Sequence, residues 1–480
     1  MSASPAILSP SSRPLALWVI VIVTLLLIPL KITSYGYAPG GDARRHVGRA
    51  FSDKPFRDII VMRPEYKVDQ SFGWESLLRL VRQTTGWNTD ALMAFAIVAS
   101  MLALLLAPLP WLRRPEAWLA ALLAFTVATP DVMGRFTEAR PLLITEGILV
   151  AILFGWSRSG KPSPVKLFLT TLGFAASVFF HGAWYLWVLP LAAFFLAGEW
   201  RAAFWLALCW VAGVVLGAGL TGHPLEFLRG TIFMAERVFH ENVPQWMLVG
   251  EFNPSGGELP DLLLLAIVYL WRRQLGGELN LTRSPVFWVM ALAWVGGFKA
   301  DRWWADWGIP TMLVWLAMQF EEILPALAGE FSGRRILLGA LLALPLYLHT
   351  TSDLDRRYSH TLDYPVLDGS APELKGWMPD PGGIFYNSQM DFFYNTFYQN
   401  PRADWRYMLG FEPALMPDED LHIFREIQRH PGIFQFYEPW VAKMKPADRL
   451  VIYSGYEPPL PQLEWYNPVS DIWLGRLKTK

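Results

Sequence analysis

Eleven apolar segments set the limits on what this chain can fold into. They lie near residues 14–34, 91–112, 116–132, 141–157, 165–181, 184–199, 201–221, 257–272, 284–299, 307–321 and 335–350. A bilayer crossing needs about 20 mostly apolar residues, fewer where neighbouring helices shield it, so each segment is a candidate transmembrane helix. Only 17% of the 480 residues are charged, against roughly 25% in an average soluble domain. The basic residues test the count. Arg13, Arg113 with Arg114, Arg158 with Lys161 and Lys166, Arg201, Arg272 with Arg273 and Arg283, and Arg334 with Arg335 fall on alternate loops. The positive-inside rule gives that pattern when the N-terminus is cytoplasmic. An odd number of spans then leaves the C-terminus outside, and all eight histidines fall at or beyond the outer ends of the spans. No small-x-small cleavage site closely follows the first segment, which reads as an uncleaved anchor.

Three outer segments are too large to be turns: 35–90, 222–256 and the tail 351–480. In the first, ARRHVGRAF and FGWESLLRLVRQ space their apolar residues three or four apart, which predicts short helices lying in the interface and roofing a cavity. In the tail, GWMPDPGG and YEPPLPQ are punctuation, DLHIFREIQ has helical spacing, and RLVIYSG and SDIWLGRL read as strands. The expected fold class is therefore an α-helical polytopic membrane protein with about 11 transmembrane helices, N-in and C-out. Residues 1–350 would form the membrane domain with outer loops 35–90 and 222–256, and residues 351–480 a C-terminal α+β outer domain.

Composition excludes several function classes. The 41 basic and 42 acidic residues nearly cancel, so there is no bulk field to attract nucleic acid. Cys209 is the only cysteine, which rules out an intrachain disulfide framework and a cysteine-held metal. Neither GxxxxGK[ST] nor GxGxxG occurs, so nothing points to ATP-driven pumping or nucleotide-dependent redox chemistry. An enzyme of this kind would receive its activated substrate through the membrane, and a polyprenyl-linked sugar would qualify. The 24 Trp, 30 Phe and 16 Tyr suit both interfacial belts and carbohydrate stacking.

Four constellations could carry chemistry. YAPGGDARRHVGRA (37–50) follows the first span, and its glycines let the chain turn and bring Asp42 to the membrane face beside Arg44, Arg45 and His46. A carboxylate among cations stays ionised and could act as a general base or bind a metal, while the arginines hold phosphate oxygens. Equally, Asp42 could cap a helix starting at Ala43 while the arginines snorkel to lipid headgroups. DVMGRFTEARPLLITE (131–146) offers Arg140 for a phosphate and Glu138 for sugar hydroxyls, or an Arg–Glu pair tying two helices together, with Glu146 inside a span. Lys299, Asp301 and Arg302 precede the tenth span, where Arg302 could stabilise a phosphate leaving group. An interfacial belt accounts for Trp303, Trp304 and Trp307 there. The loop with His223, Glu236, His240, Glu241 and Trp246 could close over a lipid-linked substrate, and it holds no zinc motif. HGAWYLW (181–187) places His181 among aromatics as an interface histidine, and the Tyr-Asn pairs at 386–387 and 394–395 suit either glycan stacking or core packing.

The small Gly-Asp element after the first span, opening a long outer loop with amphipathic helices, resembles the GT-C class of glycosyltransferases. Residues 385–424, FGWESLL (72–78) and FKADRWWADWGIPTMLVWLA (298–317) are similar to an uncharacterised bacterial branch allied to protein O-mannosyltransferases and lipid-A aminoarabinose transferases. The resemblance implies a bacterial-type inner-membrane enzyme that takes a sugar from a polyprenyl-phosphate donor to a glycan, lipid or protein acceptor on the outer face, amid membrane lipids. Asp42 would be its base, or would hold a divalent cation such as Mg or Mn; Arg44, Arg45, Arg140 and Arg302 compete as phosphate clamp. His46, Glu138, His240 and Glu241 complete the expected substrate contacts. Many members carry paired acids in this loop, whereas here Ala43 follows Asp42. WWADWG (303–308) resembles the WWDYG of oligosaccharyltransferases, but it sits at the mouth of a span rather than in a soluble domain. Inversion at the anomeric carbon is expected if no covalent intermediate forms. The alternatives are a polymerase or ligase of lipid-linked oligosaccharides, and a non-catalytic transporter or scaffold.

Overall fold

The structure, a computed structural model, describes residues 14–158, 162–240, 253–254, 259–329, 331–469 and 471–478. A helix occupies each of the eleven apolar segments: Leu15–Thr33, Thr89–Leu105, Pro115–Ala128, Leu142–Arg158, Pro164–Phe180, Val188–Leu196, Trp200–Gly219, Leu259–Gln274, Pro285–Gly297, Ile309–Ala328 and Ser332–Thr351. Among the described residues, three are long and apolar enough to cross a membrane by length and composition alone: Leu15–Thr33, Thr89–Trp111 (which runs on past Leu105) and Trp200–Gly219. The starts follow ordinary capping chemistry. Asn88, Ser163 and Ser284 each accept a backbone amide of the first turn, and Pro115, Pro164 and Pro285 occupy first helical positions, where a missing N–H costs nothing.

Close helix approach is written in small residues. Along Trp200–Gly219, a Cβ added to Gly213 would lie 2.4 Å from Phe174 Cβ, and one on Gly217 would lie 2.5 Å from the Ala175 carbonyl oxygen. This small-xxx-small spacing lets the helix seat against Pro164–Phe180 backbone to backbone. Gly217→Leu is expected to cost about 1–3 kcal/mol through overpacking. Gly219→Ala, with nothing within 4 Å of the added Cβ, should not destabilise. Thermal unfolding of the two variants in detergent checks the contrast.

Several of the loop arginines gather at one end of the bundle. Arg335 and Arg114 both reach the fully buried Glu116, at 2.8 and 3.5 Å, and Arg158 pairs with Glu321, which also accepts the Arg113 amide at 2.7 Å. Arg272 joins Glu322 at 3.6 Å. Alternate loops therefore meet on one side, and their charges tie helix ends together as well as marking a surface.

The tail builds a five-stranded sheet in the order β2-β1-β3-β5-β4, where β1 is Ile384–Asn387, β2 Arg406–Tyr407, β3 Arg449–Tyr453, β4 Leu463–Val469 and β5 Ile472–Leu477. β1 pairs in parallel with β2 and β3, and β5 runs antiparallel between β3 and β4. Period-two alternation sends Phe385 and Val451 to one face and Tyr386, Leu450 and Ile452 to the other. The helix Met390–Gln399 covers the first face, while Asp418–Arg429 and Glu438–Lys443 cover the second. RLVIYSG and SDIWLGRL supply β3 and β5; β1, β2 and β4 are additions to the sequence reading.

The first outer loop has the two expected helices, Asp42–Phe51 and Phe72–Thr85, but the chain between them is part of the tail's fold. Phe56, Ile59, Ile60 and Tyr66 enter the core on the first face of the sheet. Ile60 bridges Tyr407 in parallel, with Val61 donating to the Tyr407 carbonyl at 2.8 Å and Tyr407 donating to Ile59 at 2.9 Å. Loop and sheet are sewn together, and the Asp42 helix is held between them and the bundle.

Candidate active site

Asp42 opens its helix after Gly41, whose φ of 68° belongs to the left-handed region that glycine tolerates best. Gly41, not Asp42, holds the N-cap position, so Asp42 is the first helical residue rather than the cap. The carboxylate accepts from Arg45 Nε at 3.1 Å, and the helix N-terminus adds its own positive end. Arg45, only 1% exposed, also donates to Asp69 Oδ2 at 2.7 Å, lies 4.0 Å over the Phe411 ring, and has Nη2 3.3 Å from His46 Nε2. On the next turn His46 Nδ1 is 3.5 Å from Glu75 Oε1, and Arg49 donates to Glu75 Oε2 at 3.2 Å. Positions 42, 45, 46 and 49 share one helix face, and the acids of the second loop helix and its approach meet them.

The electrostatics follow from this packing. Burial pushes the Asp42 carboxyl up, but the guanidinium of Arg45, followed by Arg140, His46 and Arg302, outweighs it and holds the group well below the usual carboxylate range. Burial likewise raises Glu75, and Arg49 and His46 overcome it, leaving the carboxyl at about 2. Both stay ionised at any physiological pH.

Asp42 faces a cavity of about 590 Å³ between the helical bundle and the tail. Helix ends supply Arg140, His181, Tyr185, Arg302 and Asp306; the tail supplies Gln389, Asp391, Tyr394, Phe411 and Glu412. Arg140 follows Ala139, a buried non-glycine residue at φ 53°. Such a conformation costs about 1–3 kcal/mol and persists where the surroundings impose it. Arg140 also pairs with Glu138 at 2.9 Å. Opposite, the helix entry at Trp304–Gly308 is a π-turn, an element often found at functional sites, and it carries Asp306. That buried acid takes Arg302 Nε at 3.2 Å and pairs with Arg135.

No protein-family model and no curated protein matches the chain. Among solved structures, ArnT from Cupriavidus metallidurans bound to undecaprenyl phosphate is similar over 95% of this chain and 97% of its own, with a TM-score of 0.58 at 14% identity. The chain has a GT-C fold. The Archaeoglobus fulgidus oligosaccharyltransferase tethered with an acceptor peptide is also similar, over 97% of this chain and 74% of that one, with a TM-score of 0.49 at 11% identity.

Within this GT-C fold the expected site residues separate. Asp42, His46, Arg140 and Arg302 line one cavity. Arg44 and Arg45 are not among its lining residues, and both are buried in the protein rather than extended toward lipid headgroups. Arg44 is buried, donates to Asn395 Oδ1 at 2.6 Å and to the Ala38 carbonyl at 3.1 Å, and stacks on Tyr364 and Tyr398. Glu138 is not among the lining residues and pairs with Arg140, which is. The His240 side chain and all of Glu241 lie outside the described residues. The divalent-cation reading does not fit: the groups acting on Asp42 are Arg45, Arg140, His46 and Arg302, all cationic or neutral donors, and among the described residues no three His, Cys, Asp or Glu side chains cluster for a metal. Trp304 and Trp307 are buried in the bundle rather than belted at an interface; Trp304 donates to Asp261 at 2.9 Å and Trp307 packs edge-on against Trp187. Of the Tyr-Asn pairs, Tyr386 and Asn387 pack in the tail's core while Tyr394 reaches the cavity.

Proposed function

We propose that this chain is an integral-membrane glycosyltransferase that moves a sugar from a polyprenyl-phosphate donor to an acceptor on the outer face of a bacterial-type inner membrane. The observation that carries the reading is one cavity in which the Asp42 carboxylate shares space with Arg140 and Arg302, at the junction of bundle and tail. Similarity of fold to ArnT with undecaprenyl phosphate supports the donor class. Eleven spans with the N-terminus inside, residues 1–350 as the membrane domain and 351–480 as the outer domain complete the proposal. The gathering of loop arginines at one end of the bundle supports that topology.

Each group then has a task. Arg302 and Arg140 meet the phosphate, on which negative charge builds as the glycosidic bond breaks. Asp42 accepts a hydrogen bond from the acceptor hydroxyl, orients it, and takes its proton once the new bond to the anomeric carbon has made that oxygen acidic. Attack opposite the leaving phosphate inverts the anomeric carbon. Asp306 holds Arg302 in place.

Deleting the gene in its host and comparing surface glycans and glycolipids by mass spectrometry tests the reading. One defined sugar should disappear and return with the wild-type gene. Accumulation of whole lipid-linked chains would instead indicate a polymerase, ligase or transporter and overturn it.

A further inference from the structure

His181 stands one residue beyond the Pro164–Phe180 helix, and backbone contacts fix its place. Its amide donates to the Ser177 carbonyl, Ala183 donates to the His181 carbonyl, and Gly182 donates to the Gln70 carbonyl of the first outer loop, each at 2.8 Å. The glycines here are required by space: a Cβ on Gly182 would lie 2.6 Å from Thr231 Cγ2, and one on Gly73 would lie 2.4 Å from the Phe179 carbonyl oxygen. Bundle, first loop and the Pro224–His240 helix thus converge on this one point. The imidazole they position is 8% exposed and lines the cavity. Its Nδ1 is enclosed without a hydrogen-bond partner among the described residues. Buried polar groups are nearly always partnered, so an unmet one at a cavity wall points to a ligand.

The charges around the ring say which part of a ligand. Arg302, Asp42, His46 and Arg140 all act on it. In the reading above Arg140 and Arg302 serve the phosphate, and burial, followed by the Arg302 charge, keeps the His181 imidazole neutral. A neutral imidazole, which donates at one nitrogen and accepts at the other, matches a hydroxyl group. We propose that His181 hydrogen-bonds a hydroxyl of the sugar carried by the lipid donor, and so positions and selects the sugar rather than the phosphate. The inference rests on the glycosyltransferase reading above and adds a specificity residue to it.

The test compares His181→Gln with His181→Met, near-isosteric side chains of which only Gln hydrogen-bonds strongly. Each full-length variant, in nanodiscs, is titrated with undecaprenyl phosphate, which has the phosphate and no sugar. It is then given the total lipid extract of the deletion strain, with transfer read by mass spectrometry. His181→Met should bind undecaprenyl phosphate within about twofold of wild type yet transfer about 10- to 100-fold more slowly, the worth of one buried hydrogen bond. His181→Gln should recover most of the rate. Equal transfer by the two variants would overturn the inference, as would a fall in undecaprenyl phosphate affinity that matches the fall in transfer. Wild-type protein that neither binds undecaprenyl phosphate nor transfers overturns the glycosyltransferase reading itself, and a working wild type with an indifferent His181 overturns this inference alone.

Discussion

Asp42→Asn is expected to lower transfer about 10²–10⁴-fold, the range for losing a positioned general base, while undecaprenyl phosphate binds at least as tightly as to wild type. The two halves come from one charge. Asparagine keeps the shape and can still accept from Arg45, and Arg45 keeps its 2.7 Å bond to Asp69, so the helix stays anchored. What disappears is a carboxylate in a cavity that must also receive an anion, and removing it takes away a repulsion for the phosphate. In the proposed mechanism the same carboxylate meets the attacking hydroxyl and takes its proton, so the transition state would lose more than the bound donor does. Because cations hold Asp42 far below its ordinary range, wild-type activity should show no acid limb from this group until roughly pH 4 or lower. Wild-type transfer by Asp42→Asn would reduce Asp42 to an anchor for Arg45.

How much of this is legible in the sequence depends on the range of the interaction. The eleven helices are readable because each declares itself in about 20 neighbouring residues, and Asp42 stands out because two glycines precede it and two arginines follow within three residues. Arg44 and Arg45 show where adjacency fails. Consecutive helix residues point in different directions, so Arg45 reaches Asp69 and Arg44 reaches Asn395, and neither partner is near in sequence. Asp306 lies in WWADWG, whose tryptophans resemble an interfacial belt; the π-turn that turns the acid toward Arg302 has no periodicity to betray it. The sewing of residues 56–63 to the sheet likewise escapes a reading by periodicity, since the bridge from Ile60 to Tyr407 is made by backbone atoms. His181 has one cue, the glycine that follows it, and only the packing at Gly182 explains why that glycine is there.

Arg45→Met should be the most destabilising single change at the site, by about 3–5 kcal/mol, because it leaves a buried carboxylate without its cation. Arg45 joins Asp42, Asp69 and the Phe411 ring of the tail, and it is almost fully enclosed. Methionine can fill much of the space over Phe411, so the loss reports charge more than volume. The pH dependence separates the two. Asp42 has a depressed folded-state value, so its pairing contributes stability that is present above about pH 4, the ordinary carboxylate value, and is lost as pH falls through the lower folded one. In Arg45→Met that pairing is gone, and with it the strongest lowering influence on Asp42 and on Asp69, so both rise from their wild-type values while Arg140, His46 and Arg302 still act on Asp42 and the Ser71 amide on Asp69. For Asp69 burial outweighs Arg45 even in the wild-type protein. The variant's carboxylates then take up protons at higher pH than the wild type's, which relieves the uncompensated charge. The stability gap should therefore be widest near pH 7 and narrow as pH falls toward 4. Adding Asp69→Asn to Arg45→Met should recover part of the loss at pH 7, with little effect at pH 4. Thermal unfolding of the two variants and wild type in detergent at the two pH values measures this. A gap that stays constant with pH, with no rescue by Asp69→Asn, would mean that Arg45 acts by packing against Phe411 and that the charge chain from Asp69 to Asp42 does not hold the Asp42 helix.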